Sequence, residues 1–182
     1  MSISVLGLSG SLRPASFNTA ALRAAQELAP AGMTIAIADI SGVPLYHEDV
    51  YQKGFPPAVE TLREQIRSAD ALLIATPEYN YSFSGVLKNA IDWASRPPSH
   101  PFDGKPVALM GASPGRLGTA RAQYHLRQVL VFLNAHALNK PEVMIASAGS
   151  AFDADGKLTD EAARKGIADL LAGLAAAVEK AR

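Results

Sequence analysis

The chain has 182 residues, 48% of them hydrophobic, with 17 basic and 17 acidic side chains and no cysteine. That length supports one globular domain with its own core, residues 1–182. Balanced charge excludes the basic excess of a nucleic-acid footprint, and the missing thiols exclude disulfides, thiolate catalysis and sulfur-ligated metal.

The first apolar run, Ile3–Leu8, opens into a loop holding Ser9, Gly10, Ser11, Arg13, Ser16 and Asn18, and a helical pattern follows over Phe17–Leu28. A strand feeding a hydroxyl-rich loop that starts a helix is an anion site: backbone N–H groups and the helix dipole converge there. Arg13 adds charge, the Ser and Asn side chains add donors, and no acid lies between Met1 and Glu27. Other phosphate and nucleophile loops fail. Gly7 and Gly10 do not fit G-x-G-x-x-G, no Gly-Lys-Ser/Thr follows, and Ser11 stands where a nucleophile elbow needs glycine. A monophosphate anchor without metal or nucleophile remains.

A second strand is predicted over Met33–Ala38, then a long connection, Gly42–Pro57, and a helix over Pro57–Ser68. The third strand, Ala71–Ala75, leads into Thr76-Pro77-Glu78-Tyr79-Asn80-Tyr81-Ser82-Phe83-Ser84-Gly85. Aromatic rings beside amide and carboxyl groups suit a flat heteroaromatic ligand, and equally a polar turn plugged by aromatics. A helix over Gly85–Ser95 follows, with Trp93 read as a packing residue.

The fourth strand, Pro106–Gly111, ends in a loop where Gly115 and Gly118 permit close backbone approach to a ligand, or simply turn the chain. The next helix, Thr119–Leu133, is expected to be capped by Thr119, with Arg121 and Tyr124 on one face and a structural or interfacial His125. A fifth strand over Val143–Ala146 precedes the connection Ser147–Lys157. Its Asp153-Ala154-Asp155-Gly156 fails the calcium-loop pattern because Ala151 and Ala162 occupy ligand positions. Thr159 is expected to cap the last helix, Asp160–Ala177. No run of about 20 apolar residues predicts a membrane span, and no charged leader precedes an apolar run at the amino end, so the cytoplasm is the expected compartment.

The strands are continuous apolar runs, as in a parallel sheet covered on both faces. In such open α/β folds ligands bind beyond the carboxyl ends of the strands. The loops after strands one, three and four therefore meet at one edge.

Four segments, Gly10 to Asn18, Pro77 to Ser82, Gly85 to Trp93 and Gly115 to Gly118, resemble the NADPH-dependent FMN reductases, a flavodoxin-like family that includes quinone, chromate and azo-dye reductases. Arg121 to Gln128 resembles the chromate and quinone reductase branch. The resemblance runs through nearly the whole chain. Ser84 precedes Gly85 where the family often has proline. The resemblance implies a five-stranded parallel sheet of order 2-1-3-4-5 with helices on both faces. It implies that Ser9, Ser11, Arg13, Ser16 and Asn18 hold the FMN phosphate and that Pro77, Glu78, Tyr79 and Asn80 line the ribityl and isoalloxazine. Ser113, Gly115 and Gly118 would approach the pyrimidine end. No catalytic acid, base or metal is implied, since flavin carries the chemistry. NADPH or NADH would reduce the flavin, and a quinone, chromate, azo or flavin acceptor would reoxidise it in ping-pong turnover. The family forms dimers or tetramers, so the Arg121–Tyr124 face is expected at a homo-oligomer contact. Competing readings are a flavodoxin-type electron carrier, which the zero net charge disfavours, and an FMN-binding regulatory protein.

Overall fold

Each central strand sends alternate apolar side chains to opposite faces, so helices must cover both. In the computed structural model, which describes residues 2–182, β1 (Ile3–Ser9), β2 (Met33–Ala38), β3 (Ala71–Ala75) and β4 (Pro106–Ala112) pair in parallel in the order β2-β1-β3-β4. Ala71, Leu73 and Ala75 pack in one core with α1 (Phe17–Glu27) and α7 (Glu161–Ala181). Leu72 and Ile74 pack in the other, with α3 (Pro57–Ser68), α4 (Gly85–Ala94) and α5 (Ala120–Phe132). This is the flavodoxin-like sandwich that the sequence predicts.

The fifth place in the sheet is split, where the sequence predicts one strand. β5 (His136–Ala137) pairs with Pro106 and Val107, and β6 (Val143–Ile145) pairs with Met110 to Ala112, both parallel to β4. Pro141 lies between them and has no amide hydrogen to continue a ladder. Two short helices also stand inside the long connections, α2 (Glu48–Tyr51) and α6 (Ala148–Ala151).

The helix starts follow local chemistry. Ser16 accepts from the amides of Asn18 and Thr19, and Ser84 from that of Leu87. Asp160, rather than Thr159, caps α7 by accepting from Ala163 N at 2.7 Å. The Thr159 hydroxyl instead donates to Ala151 O at 3.2 Å. The connection after β2 is pinned to α4: Trp93 Nε1 and Asn89 Nδ2 both donate to Pro44 O at 2.8 Å. Trp93 is fully buried, as its reading as a packing residue requires. No helix among the described residues is long and apolar enough to cross a membrane.

Candidate functional site

The loops after β1, β3 and β4 are stitched together at the carboxyl edge. Gly10 N donates to Ala75 O at 2.7 Å, Thr76 N to Met110 O at 3.1 Å, and Ser113 N to Ile145 O at 3.0 Å. Gly10 permits the first of these junctions. A Cβ there would stand 2.9 Å from Thr76 Oγ1 and 3.1 Å from Pro77 Cδ, inside ordinary contact.

In the first loop the polar residues divide into a built frame and an exposed rim. Ser9 Oγ pairs with Thr19 Oγ1 at 2.8 Å and accepts Ser11 N at 3.3 Å. Ser16 caps α1, and Asn18 is buried with both ends of its carboxamide on Ala112. Ser11 and Arg13 face outward, with Arg13 Nη2 donating to Ala15 O at 2.7 Å. Among the described residues, the amides of Leu12, Ala15, Ser16 and Phe17 donate to no protein acceptor. Free amides, a helix amino end and an arginine together match the needs of a phosphate. The donors are chiefly the loop backbone and Arg13; the Asn18 carboxamide is committed to the fold. Two acids approach the outer flank in space, although none is near in sequence. Asp153 and Asp155 line a cavity of about 730 Å³ there, which Arg13 and Arg23 also border.

The third loop makes a tight two-residue turn. Tyr79 N donates to Ser82 O at 2.9 Å and Ser82 N to Tyr79 O at 3.0 Å. Asn80 and Tyr81 at its tip have φ of 49° and 68°, the left-handed pair of a type I′ turn. Tyr79, Asn80 and Tyr81 are exposed, while Pro77 is buried beneath them. Glu78 points away from the phosphate cradle. Its Oε2 accepts the amides of Arg121 at 3.0 Å and Ala122 at 3.1 Å, and its Oε1 pairs with the Arg121 guanidinium. Glu78 thus caps α5. Thr119, expected in that role, makes no side-chain cap bond; it is buried and its Oγ1 accepts Gln123 Nε2. Arg121 stacks 3.8 Å over the Tyr81 ring, and hydrogen bonding to Glu78 raises its pKa. Arg121 therefore faces the third loop, which leaves Tyr124 as the exposed member of the predicted Arg121–Tyr124 face. His125 Nδ1 lies 3.2 Å from Ser82 Oγ.

In the fourth loop the two glycines separate. Gly118 has φ of +55°, and a Cβ there would lie 2.9 Å from the Met144 carbonyl carbon. Its need for glycine is set by β6. Gly115 has space: its nearest neighbour is Ser113 Oγ at 3.5 Å, and its own amide donates to that oxygen at 3.1 Å. Ser113 and Gly115 stay at the open edge. Sequence reasoning passed over Gly111, inside an apolar run, where a Cβ would collide with Thr119 Oγ1 and the carbonyl of Thr76.

A groove of about 820 Å³ runs from the cradle across the sheet edge. Among the described residues Arg13 is the only charged one lining it, and Leu12, Val43, Leu45, Tyr79 and Val86 supply apolar walls. Val43 and Leu45 come from the connection after β2, which carries no motif in sequence. Among the described residues, no cluster of three or more His, Cys, Asp or Glu side chains is placed to hold a metal. An anion cradle opening onto an apolar, aromatic groove fits a phosphorylated flat cofactor such as FMN.

The family pattern described as NADPH-dependent FMN reductase matches residues 3–150. The chain is 68% identical over 180 residues to an NAD(P)H-dependent FMN reductase of Pseudomonas aeruginosa, covering 99% of this chain and 97% of that protein. It is 55% identical over 144 residues to a quinone reductase of Escherichia coli, covering 78% and 77%. Among solved structures it resembles a flavoenzyme NAD(P)H:(acceptor) oxidoreductase from Paracoccus denitrificans, with a TM-score of 0.89, 36% identity and 98% of each chain covered.

Proposed function

We propose that this chain, which belongs to the NADPH-dependent FMN reductase family and is an FMN- and NAD(P)H-using oxidoreductase, passes electrons from the nicotinamide to quinone acceptors. The supporting observation is the cradle's position: Leu12, whose amide is unspent, and Arg13 line the same groove as Tyr79, while Ala15 to Phe17 line the adjoining cavity that Arg13 also borders. The phosphate would sit at the amides of Leu12 and Ala15 to Phe17, with Arg13 and the Ser11 hydroxyl beside it. Ser9, Ser16 and Asn18 act one step back, fixing the loop. Pro77, Glu78, Tyr79 and Asn80 offer ribityl and ring their backbone and aromatic surface, while Ser113, Gly115 and Gly118 shape the other rim. When bound, FMN supplies the hydride acceptor that no side chain of this chain could provide.

The groove is open and has one charged lining residue, so neutral flat rings suit it best. Nicotinamide and acceptor would use it in turn, which gives ping-pong kinetics. Azo and flavin acceptors, flat but larger, are second choices, and chromate, a hydrated dianion, gains nothing from an apolar wall. The working unit is one FMN-binding domain over residues 1–182, assembled as a homodimer or homotetramer in the cytoplasm. The exposed Tyr124 and Phe132 of α5 are the surface we assign to that assembly. A monomeric mass by light scattering would refute the assembly.

The decisive experiment mixes purified protein, FMN, NADPH or NADH, and a benzoquinone, and follows nicotinamide absorbance. Oxidation that needs both FMN and quinone is expected, with parallel initial-rate lines. Absence of quinone-dependent oxidation would sink the acceptor assignment.

A further inference from the structure

The turn at Tyr79–Ser82 is held in a backbone form that its own sequence resists. Asn80 tolerates positive φ, but Tyr81 at φ 68° does not do so readily. Such conformations persist where surrounding structure over-determines them. Here the surrounding structure is one helix. The first amides of α5, at Arg121 and Ala122, bind the Glu78 carboxylate; the Arg121 guanidinium pairs with Glu78 and stacks on Tyr81; and His125, one turn on, meets Ser82. The Glu78 side chain is 5% exposed, so these bonds form largely out of water. Arg121 Nε is buried with no acceptor among the described residues. Keeping that donor unpaired is costly, and the cost is borne where the guanidinium can reach Glu78 and Tyr81 together.

We propose that Glu78 is a positioning residue: by capping α5 and gripping Arg121 it sets the conformation of the 77–82 loop against which FMN binds, without its carboxylate touching the flavin. The inference rests on the FMN reading given above. A ligand role would point the carboxylate toward the cradle and groove; it points to the helix. A cap alone would need no arginine, and the ion pair adds the link from helix to turn.

The test is a double-mutant cycle on FMN affinity, with wild type, Glu78→Gln, Arg121→Met and the double variant. Affinity is read by flavin fluorescence titration, and the visible circular dichroism of the bound flavin reports ring orientation. Glu78→Gln keeps an oxygen for the α5 amides but loses the ion pair. Each single variant is expected to weaken FMN roughly five- to tenfold and to alter the dichroism, with the double variant no worse than the weaker single, because the two residues act as a unit. Glu78→Ala, which also removes the cap, is expected to be weaker than Glu78→Gln. Additive losses, or wild-type affinity and dichroism in Glu78→Gln, would overturn the proposal. Wild-type protein that failed to bind FMN would overturn the cofactor reading instead, so the two failures are distinct. If Glu78→Ala does not fold, the Gln and Met variants still decide the matter.

Discussion

Asn18 and Ala112 close a two-way amide pair across 94 positions of sequence: Asn18 Nδ2 donates to Ala112 O at 3.0 Å, and Ala112 N donates to Asn18 Oδ1 at 2.9 Å. The pair is buried and joins the start of α1 to the end of β4, so the first and fourth loops hold a fixed spacing. Asn18→Ala would strand a buried donor and acceptor on Ala112. We expect a loss of about 2–4 kcal/mol and a fall of roughly 5–15 °C in Tm. Asn18→Asp should do little better, since a carboxylate accepts from Ala112 N but repels its oxygen. Calorimetry of the two variants checks this; a Tm within a degree or two of wild type would refute it.

Arg13 sits on the rim of the same loop and behaves oppositely. It is exposed, and its guanidinium donates to Ala15 O within the loop. Arg13→Ala should leave Tm nearly unchanged while removing a charge-assisted contact to phosphate, on the order of 1.5–3 kcal/mol. That is roughly a ten- to hundredfold loss of FMN affinity. Isothermal titration with FMN, repeated with riboflavin, which lacks phosphate, distinguishes the roles. The variant should bind riboflavin like wild type, and equal FMN affinity would remove Arg13 from the site.

The glycines make a matched test of packing against function. A Cβ at Gly111 has no room beside Thr119 and the Thr76 carbonyl, so Gly111→Ala should cost more than about 3 kcal/mol or abolish folding. At Gly115 the nearest atom is 3.5 Å away and φ is not positive, so Gly115→Ala should be stable within about 0.5 kcal/mol of wild type. If the fourth loop approaches the cofactor at Gly115, that same methyl weakens FMN severalfold. Tm and FMN affinity measured on both variants separate the two effects; unchanged FMN affinity in Gly115→Ala would move the flavin off this loop.

The alternation of apolar runs was readable because a doubly covered strand must be apolar throughout, and Leu72, Leu73 and Ile74 go alternately to opposite cores. The split fifth strand was less readable, since two or three residues leave no periodicity. At the site, residue types marked the right loops but not which groups were already spent. Asn18 and Glu78 both look like ligand groups in sequence. Their partners, 94 and 43 residues away, consume them. Thr119 and Thr159 look like caps by position; in space Glu78 and Asp160 do that work. Leu45 and Val43 carry no motif, and only folding brings them to the cradle.

Acid stability should report Asp70, at the far end of the sheet. Its carboxylate accepts Ser4 N at 2.8 Å and Ser4 Oγ at 2.9 Å, and it pairs with Arg182 at 3.0 Å. These contacts, the Ser4 backbone bond foremost, hold its pKa below the ordinary 3.8 despite partial burial. A carboxyl depressed in the folded state adds stability above its unfolded pKa and loses it as pH falls through the folded value. The Tm gap between wild type and Asp70→Asn should therefore be full well above the ordinary carboxylate pKa and close as pH falls below it through the lower folded value. A gap independent of pH would show that the charge is irrelevant.

Leu45 offers the most direct probe of the acceptor. It is 85% exposed at the groove wall, yet its backbone is pinned on both sides: Pro44 O accepts Trp93 Nε1 and Asn89 Nδ2, and Tyr46 N donates to Asn89 Oδ1 at 2.7 Å. Its side chain can therefore be changed without moving the connection. A ring covering on the order of 50 Å² of Leu45 gains about 1 kcal/mol at ~25 cal/mol per Å². Leu45→Asp loses that and adds a carboxylate to desolvate, so KM for an alkylated benzoquinone should rise roughly five- to tenfold. Tm should not move, because the side chain is exposed, and FMN affinity titrated alongside separates an effect on the cofactor in the same groove from one on the acceptor. For a small, hydrophilic acceptor such as ferricyanide, which needs no apolar wall, the two proteins should differ only through the added charge, an effect that salt screens. Steady-state kinetics with both acceptors at high salt give the comparison, and an unchanged quinone KM would place the acceptor elsewhere on the sheet edge.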